Sequence, residues 1–384
     1  MFKKLLFFVA IMGMGLSSFA QDAYLKAKSE DVEKTYLGGE AYTVKTFPQK
    51  FKAKKPKNII VMIGDGMGLA HVFAGLTANH GHLFLENCKT IGFSKTQSAN
   101  NYVTDSAAGG TALATGVKTN NGAIGVDANN QPVKSILEDA EEKGLSSGLV
   151  ATSAITHATP ASFIAHQASR GSYEDIASDF LKTDIDVFIG GGYDHFAKRK
   201  DGKNLIEDLE KKGYTVKQDV ESIKGVKTGK LAGFTAPMHN GRVAERKDML
   251  PVATETAINI LSNNKKGFFL MVEGSEIDHG AHSGNTVHTI EEVLDFDQAI
   301  GKALEFASSN GKTLIIVTAD HETGGMTLLD GSMETGMVKA AYATGGHSAV
   351  MVPVFAYGPG AENFIGIMEN TDLHDKIKEL LLSK

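Results

Sequence analysis

The sequence predicts an α/β fold, with a mostly parallel central β-sheet covered by helices on both faces. Three observations predict it. Short continuous apolar runs recur along the chain, as expected of strands buried on both faces of a parallel sheet. Helix-like segments closed by Gly alternate with these runs. The runs also stop in Gly-, Asp-, Glu- or His-containing loops, where open α/β sheets collect their ligands.

The elements follow in order. Asn58–Ile63 is a strand that stops at Gly64-Asp65-Gly66. Ser135–Lys143 is a helix closed by Gly144, and a strand follows over Ser147–Ala151. Asp186–Ile189 is a strand ending in three glycines. Leu205–Lys212 is a helix stopped by Gly213, and Thr254–Ser262 is another. Gly267–Val272 is a strand ending at Glu273-Gly274, and Ile290–Ser308 a long helix. Thr313–Thr318 is a strand ending at Asp320-His321. Val350–Ala356 is a late strand and Asp372–Leu382 a terminal helix. There is no internal repeat or Pro/Ser-rich linker, so residues 57–384 are expected to form one domain.

The chain has 384 residues, 42% of them hydrophobic and 22% charged, enough for a large core. Its formal net charge of −6 argues against nucleic acid as a dedicated partner. The single cysteine, Cys88, excludes an intrachain disulfide framework and reads as a small core residue. Residues 1–20 combine Lys3-Lys4, an apolar run from Leu5 to Leu16 and the small-residue site Ser18-Phe19-Ala20. That is the pattern of a signal peptide; the run is shorter than the roughly 20 residues a membrane span needs. The expected product is exported, periplasmic or secreted, with no stable membrane span after cleavage. Residues 21–56 are polar and Lys-rich, and read as an N-terminal surface arm.

Candidate chemistry lies at the strand ends. Asp65, Glu273 and Asp320-His321 each follow or close an apolar run. One such carboxylate is an ordinary loop residue or cap as readily as a ligand; three at one end of a sheet point to cations. Asp278 and His282 are four apart, so one helical turn puts both on one face. With His347, on a Gly-Gly-His loop, they would leave a tetrahedral zinc one open position. Asp65, Asp320 and His321 form a second mixed set that suits zinc. Asp65, Thr159 and Glu273 are all-oxygen and suit magnesium. Ser106 precedes Ala-Ala-Gly-Gly and can open a helix whose N-terminus favours an anion; a plain N-cap is the alternative. No phosphate loop of the Gly-x4-Gly-Lys type and no Gly-x-Ser-x-Gly elbow is present, which leaves metal coordination to activate Ser106. Arg170 could fork onto two phosphate oxygens, although a lone Arg is more often a surface charge.

These residues resemble the alkaline phosphatases. The motifs that carry the resemblance are Gly64-Asp65-Gly66-Met67-Gly68, Val103-Thr-Asp-Ser-Ala-Ala108 with Thr115-Gly-Val-Lys118, Ala158-Thr159-Pro160-Ala161, Val272-Glu-Gly-Ser-Glu-Ile-Asp278, Thr318-Ala-Asp-His321 and Gly345-Gly-His347. They fall in family order across residues 57–360. The resemblance implies hydrolysis of small phosphate monoesters through a phosphoserine intermediate. It implies two zinc ions, one on Asp65, Asp320 and His321, the other on Asp278, His282 and His347, and one magnesium on Asp65, Thr159 and Glu273. It makes Ser106 the nucleophile and Arg170 the phosphate clamp. His157 stands near the magnesium, where some bacterial members have Asp. His279 stands near the phosphate, where some have Lys. Both choices imply a more alkaline optimum. Only 25 residues separate His321 from His347, so the crown insertion, about residues 322–346, is expected to be small. The family often forms dimers, which raises a homodimer here.

Three rival activities would demand other residues. A sulfatase fails because Ser106 lacks a Pro and Arg context. A phosphodiesterase would not need the third metal set. A non-catalytic binding protein would not need Ser106 and Arg170 together.

Overall fold

The computed structural model describes residues 34–382. The expected signal peptide and arm residues 21–33 lie outside that range. Among the described residues the strands, in chain order, are β1 (Thr35–Tyr36), β2 (Asn58–Gly64), β3 (Thr90–Lys95), β4 (Ser146–Ala154), β5 (Val187–Gly191), β6 (Tyr214–Lys217), β7 (Lys230–Phe234) and β8 (Phe268–Gly274). They continue with β9 (Thr313–Thr318), β10 (Glu322–Thr323), β11 (Met326–Ser332), β12 (Met337–Tyr342), β13 (His347–Ser348), β14 (Val352–Tyr357) and β15 (Gly366–Glu369).

Ten of these form one sheet in the order β15-β3-β14-β9-β2-β8-β4-β5-β7-β6. Every neighbouring pair is parallel except those made by β14, which runs antiparallel to both β3 and β9. The sheet is buried on both faces. Along β2, Ile59, Val61 and Ile63 join one core, while Ile60 and Met62 join the other. The helices Ser106–Thr115 and Asn370–Leu382 contribute Leu113 and Leu373 to the first core. The helices Met249–Leu261 and Thr286–Asn310 contribute Leu250 and Phe296 to the second. This is the layered α/β architecture the sequence predicts.

The differences have local causes. The helix expected at Thr254 begins at Met249, because Pro251 sits in its first turn, where a missing N–H breaks no intrahelical bond. Strand β3 carries Gly92 mid-run, which resembles a turn. A Cβ at Gly92 would lie 2.5 Å from the Phe364 carbonyl oxygen; glycine lets that segment come close. Strand β1 pairs with β12, and β12 with β11, in a small sheet at the crown; β10 pairs with β13 beside it.

The described part of the arm is fastened to the body. Tyr42 donates its hydroxyl to Asp297 (2.6 Å) and stacks on Phe84. The side-chain oxygens of Asn79 and Asn87 accept the Tyr42 and Phe47 amides. Phe51 meets Tyr357 edge-on. Thus the aromatic residues of the described arm serve as packing, Lys34 joins them by donating to the Gly284 carbonyl (2.8 Å), and Lys45, Lys50, Lys54 and Lys55 are exposed.

Sheet order is what positions the site. Strands β9, β2, β8 and β4 are consecutive neighbours, with Ile63 level with both Thr318 and Glu273, and Glu273 level with Ala151. Four chemistry-bearing chain segments therefore leave the sheet side by side.

Candidate active site

Asp65 leaves β2 in a tight turn. Gly66 has φ 69°, and a Cβ there would meet the Thr323 hydroxyl at 2.6 Å and Asp278 Oδ1 at 3.0 Å. Glycine is what lets the turn sit between two functional segments. The Gly66 amide donates to Asp320 Oδ1 (3.2 Å), which orients the carboxylate coming off β9.

Glu273 is the penultimate residue of β8. Its Oε2 accepts the Ser275 hydroxyl at 2.6 Å and that of Ser153 at 3.3 Å. The helix Glu276–His282 follows, and its single turn brings His282 Nε2 within 3.2 Å of Asp278 Oδ2. His347 arrives on β13, with its Nε2 3.1 Å from His282 Nε2 and 3.6 Å from Asp278 Oδ1.

Three cation-sized clusters result, with ligand atoms in each within 4.8 Å of one another. They are Asp278, His282 and His347; Asp65, Asp320 and His321; and Asp65, His157 and Glu273. The first two are the sets expected from the sequence. In the third, His157 shares the cluster expected to include Thr159. Thr159 is fully buried on the short helix Ala158–Ala161.

The hydrogen bonds fix the imidazole tautomers. His282 Nδ1 faces the Gly345 carbonyl and His347 Nδ1 the Thr104 carbonyl, both at 2.8 Å. A carbonyl only accepts, so both Nδ1 atoms carry protons. When both rings are neutral, their two Nε2 lone pairs face each other beside a carboxylate. His321 repeats the pattern. The Thr323 hydroxyl donates to Asp278 and can accept from His321 Nδ1 at 3.2 Å. His321 Nε2 faces Asp65 Oδ1 and Asp320 Oδ2, each at 3.3 Å. Such second contacts hold imidazoles for metals. Among the described residues no hydrogen-bond donor reaches Asp65 Oδ2, Thr159 Oγ1 or Glu273 Oε1, all buried. Lone pairs facing one another, orphaned carboxylate oxygens and mixed Asp/His sets all fit cations.

The electrostatics agree. Burial, then the neighbouring Asp320, Asp278 and Glu273, push the Asp65 carboxyl well above its usual range. Burial, then Asp278, push Asp320 up to about 7. Burial and the nearby His347 hold His321 well below the usual imidazole range. Burial opposes ionisation of Asp278, but His282, His347 and His321 prevail and hold it well below.

Ser106 is the first residue of the helix Ser106–Thr115, with its Oγ 3.1 Å from His321 Nε2. Asp105 caps that helix by accepting the Ala108 amide at 3.0 Å. Gly109 lets the helix lie against the cluster of Asp65, Asp320 and His321: a Cβ there would be 2.9 Å from the Asp320 carbonyl oxygen. Arg170 reaches the same place, with Nη1 3.1 Å from Asp105 Oδ2 and Nη2 3.2 Å from His157 Nε2. His279 Nδ1 is 2.9 Å from Glu276 Oε2, and its ring lies 6.2 Å from that of His157.

Four residues escaped the sequence reading: Asp105 as the Arg170 holder, Thr323 between two clusters, Glu276 behind His279, and His239. His239 Nδ1 accepts the Ala154 amide at 3.3 Å; its ring lies 5.3 Å from His157 and 6.2 Å from His279. Only Asp105 had a sequence signal, as a cap. Cys88 lies elsewhere, buried, with its thiol pushed up by that burial, as suits an inert core residue.

Fold and site together define an α/β protein that gathers cation-binding side chains around a helix-capped serine. The family signature described as "Alkaline phosphatase" matches residues 56–341, and the chain belongs to the alkaline phosphatase family. It is 37% identical to alkaline phosphatase 4 of Bacillus subtilis, over 87% of this chain and 91% of that protein. It is 32% identical to the Escherichia coli alkaline phosphatase, over 85% and 86%. The solved alkaline phosphatase of the Antarctic bacterium TAB5 superposes with a TM-score of 0.81 at 43% identity, covering 85% of this chain and 98% of that one. A histidine-to-aspartate variant of that enzyme has been solved with magnesium bound in its M3 site.

Proposed function

We propose that this chain hydrolyses phosphate monoesters to an alcohol and inorganic phosphate through a phosphoserine at Ser106. The observation that carries the reading is the placement of Ser106 Oγ 3.1 Å from His321 Nε2, at a helix N-terminus and beside Arg170.

Asp65, Asp320 and His321 would hold one zinc and Asp278, His282 and His347 a second. Asp65, Thr159 and Glu273 would hold a magnesium, with His157 beside it. Such cations, when bound, supply the positive charge that acidifies a serine hydroxyl, neutralises phosphate and stabilises a leaving oxygen. The rest falls to the chain. Ser106 Oγ bonds to phosphorus as the ester P–O bond breaks, and the proton the hydroxyl gives up ends on the departing alkoxide oxygen, releasing the alcohol. A water oxygen then bonds to phosphorus as the Ser106 Oγ–P bond breaks, and the proton that water loses returns to Ser106. Arg170 grips two non-bridging oxygens with its fork, and Asp105 holds that guanidinium in place. The free amides opening the helix at Ser106 add donors for the same oxygens. His279, braced by Glu276, borders the phosphate. Two in-line displacements predict retention at phosphorus. Only the phosphoryl group is gripped, so broad tolerance of the alcohol follows.

The test is p-nitrophenyl phosphate hydrolysis from neutral to alkaline pH, before chelation, after it, and with zinc and magnesium restored. Turnover lost and regained with the metals supports the reading. Ser106→Ala should lose on the order of 10³-fold or more. Full turnover by that variant would sink the covalent route, and faster cleavage of a phosphodiester would favour the diesterase rival.

The same proposal takes residues 57–384 as one catalytic domain and the chain as exported after cleavage near Ala20, readable as the N-terminus of the mature product. No helix among the described residues is long and apolar enough to cross a membrane. A homodimer completes the reading, and light scattering tests it.

A further inference from the structure

The catalytic cluster occupies the carboxyl ends of β9, β2, β8 and β4. The opposite pole, where the same strands begin, has a different character. The segment leading into β2, residues 49–57, contains Lys50, Lys52, Lys54, Lys55 and Lys57. The turn before β8, residues 262–267, contains Lys265 and Lys266, and the turn before β9, residues 308–312, contains Lys312. These 20 residues hold eight lysines and no carboxylate, in a chain whose acids outnumber its bases by 45 to 39.

Parallel pairing forces the three segments together. The Lys57 amide donates to the Lys312 carbonyl (2.8 Å), and the Lys52 amide to the Gly311 carbonyl (2.9 Å). A Cβ on Gly267 would lie 2.0 Å from the Lys57 carbonyl oxygen, so the β8 turn also abuts this segment. Lys266 Nζ reaches the carbonyl of Lys143, which ends the helix Ile136–Glu142 just before β4 (3.5 Å). The field is therefore carried on a rigid frame. Between the segments lies a hollow of about 370 Å³ lined by Lys52, Lys57 and Lys312 with Asn58, Asn310 and Ser262 among its other walls. Among the described residues, three nearby carboxylates pair with lysines outside the field: Glu255 with Lys302 (2.9 Å), Glu305 with Lys45 (3.5 Å) and Glu142 with Lys134.

We propose that this lysine pole is a docking surface for an anionic phospholipid bilayer, with lipid phosphates seated over the hollow and the active site facing away from the membrane. The chemistry favours a bilayer over a structured polyanion. All eight cations are lysines, which act as point charges on flexible stems; the three segments have no arginine fork for bidentate phosphate recognition. Clusters of about four to eight basic residues are what anionic leaflets attract. The pole lies roughly 20 Å from the catalytic end, taking about 3.3 Å per residue along β2. Substrate access is thus left open.

The test is co-sedimentation of the full chain with vesicles of phosphatidylcholine plus phosphatidylglycerol, against vesicles of phosphatidylcholine alone. The readout is the ratio of the two affinities, compared between wild type and variants that all keep Lys3, Lys4 and residues 5–16, so attachment through that segment is common to both and cancels. The expected ratio is well above one at low salt and collapses at high salt. Each lysine removed should lower binding to the anionic vesicles about fivefold, and Lys265→Gln/Lys266→Gln/Lys312→Gln on the order of 100-fold. Hydrolysis of p-nitrophenyl phosphate should stay unchanged in that variant. If the triple variant fails to fold, Lys50→Gln/Lys52→Gln/Lys54→Gln makes the same measurement from the β2 segment. A wild-type ratio near one, a ratio unmoved in folded variants, or retention on soluble heparin without vesicle binding would overturn the proposal.

Discussion

Asp320→Asn tests whether the clustered carboxylates exist for cations. Asp320 is buried beside Asp278 and Glu273, and its pKa stands at about 7 against an ordinary 3.8. A shift of roughly three units corresponds to about 4 kcal/mol at 1.36 kcal/mol per unit. The sign is destabilising. The folded chain holds the proton to higher pH than the unfolded chain, so stability falls as pH rises from about 4 to about 7 and stays low above that. A bound cation compensates the charge and cancels the loss. Chelated wild-type protein should therefore lose more stability than metal-loaded protein as pH rises from about 4 to about 7. Chelated Asp320→Asn should be more stable than chelated wild type at pH 8 by up to about 4 kcal/mol. That is about 5 °C in Tm, given an unfolding entropy of about 2.1 cal/mol/K per residue. Its gain on adding zinc should shrink. Asp295 and Asp297, pushed up to about 7 and about 6 chiefly by burial, titrate in the same window. They are common to chelated and loaded protein and drop out of the difference. The assay is thermal unfolding with and without chelator across this pH range. A metal-dependent increment that is flat with pH, or a chelated variant no more stable than wild type, would refute the reasoning.

Two further outcomes follow from packing. Gly109→Ala should lower Tm by the equivalent of about 1–3 kcal/mol and reduce bound zinc, because the added methyl must displace the Asp320 backbone; unchanged zinc content in the purified protein would contradict this. Arg246→Met should cost about 3–5 kcal/mol, because it strands Glu292 and Asp295, both buried and bridged by that guanidinium; urea unfolding reads it, and a loss under 1 kcal/mol would mean the pair is neutral.

The parts of the fold legible in the sequence were those with one dominant signal. Strands β2, β8 and β9 are buried on both faces, so burial writes an uninterrupted apolar run. Strand β3 was not legible because Gly92 serves a neighbour: its missing side chain makes room for the Phe364 carbonyl. Strand β7 carries Gly233 for a like reason, since a Cβ there would meet Ile223 Cδ1 at 2.9 Å. The site divides the same way. Asp278 and His282 announce each other through one helical turn. Asp105 and Arg170 are 65 residues apart, Thr323 and Asp278 are 45 apart, and His239 reaches Ala154 across 85. Such pairings arise when strands assemble, and no local pattern encodes them.

The sheet order also explains why the gathered side chains need positive charge. Because β9, β2, β8 and β4 are neighbours, their exits cannot avoid one another, and Asp65 belongs to two clusters at once. Protons can satisfy the arrangement at low pH: Asp65 and Asp320 are held toward their neutral forms, and His282 gains affinity for a proton because Asp278 outweighs the burial that opposes it. As pH rises, those protons leave, and only cations can replace them between carboxylates and imidazole lone pairs that stay fixed by their Nδ1 bonds. Proton and metal therefore compete for the same atoms. The acid limb of activity should shift to higher pH when zinc is scarce and to lower pH when it is plentiful, whereas an acid limb set by Ser106 alone would ignore the metal concentration.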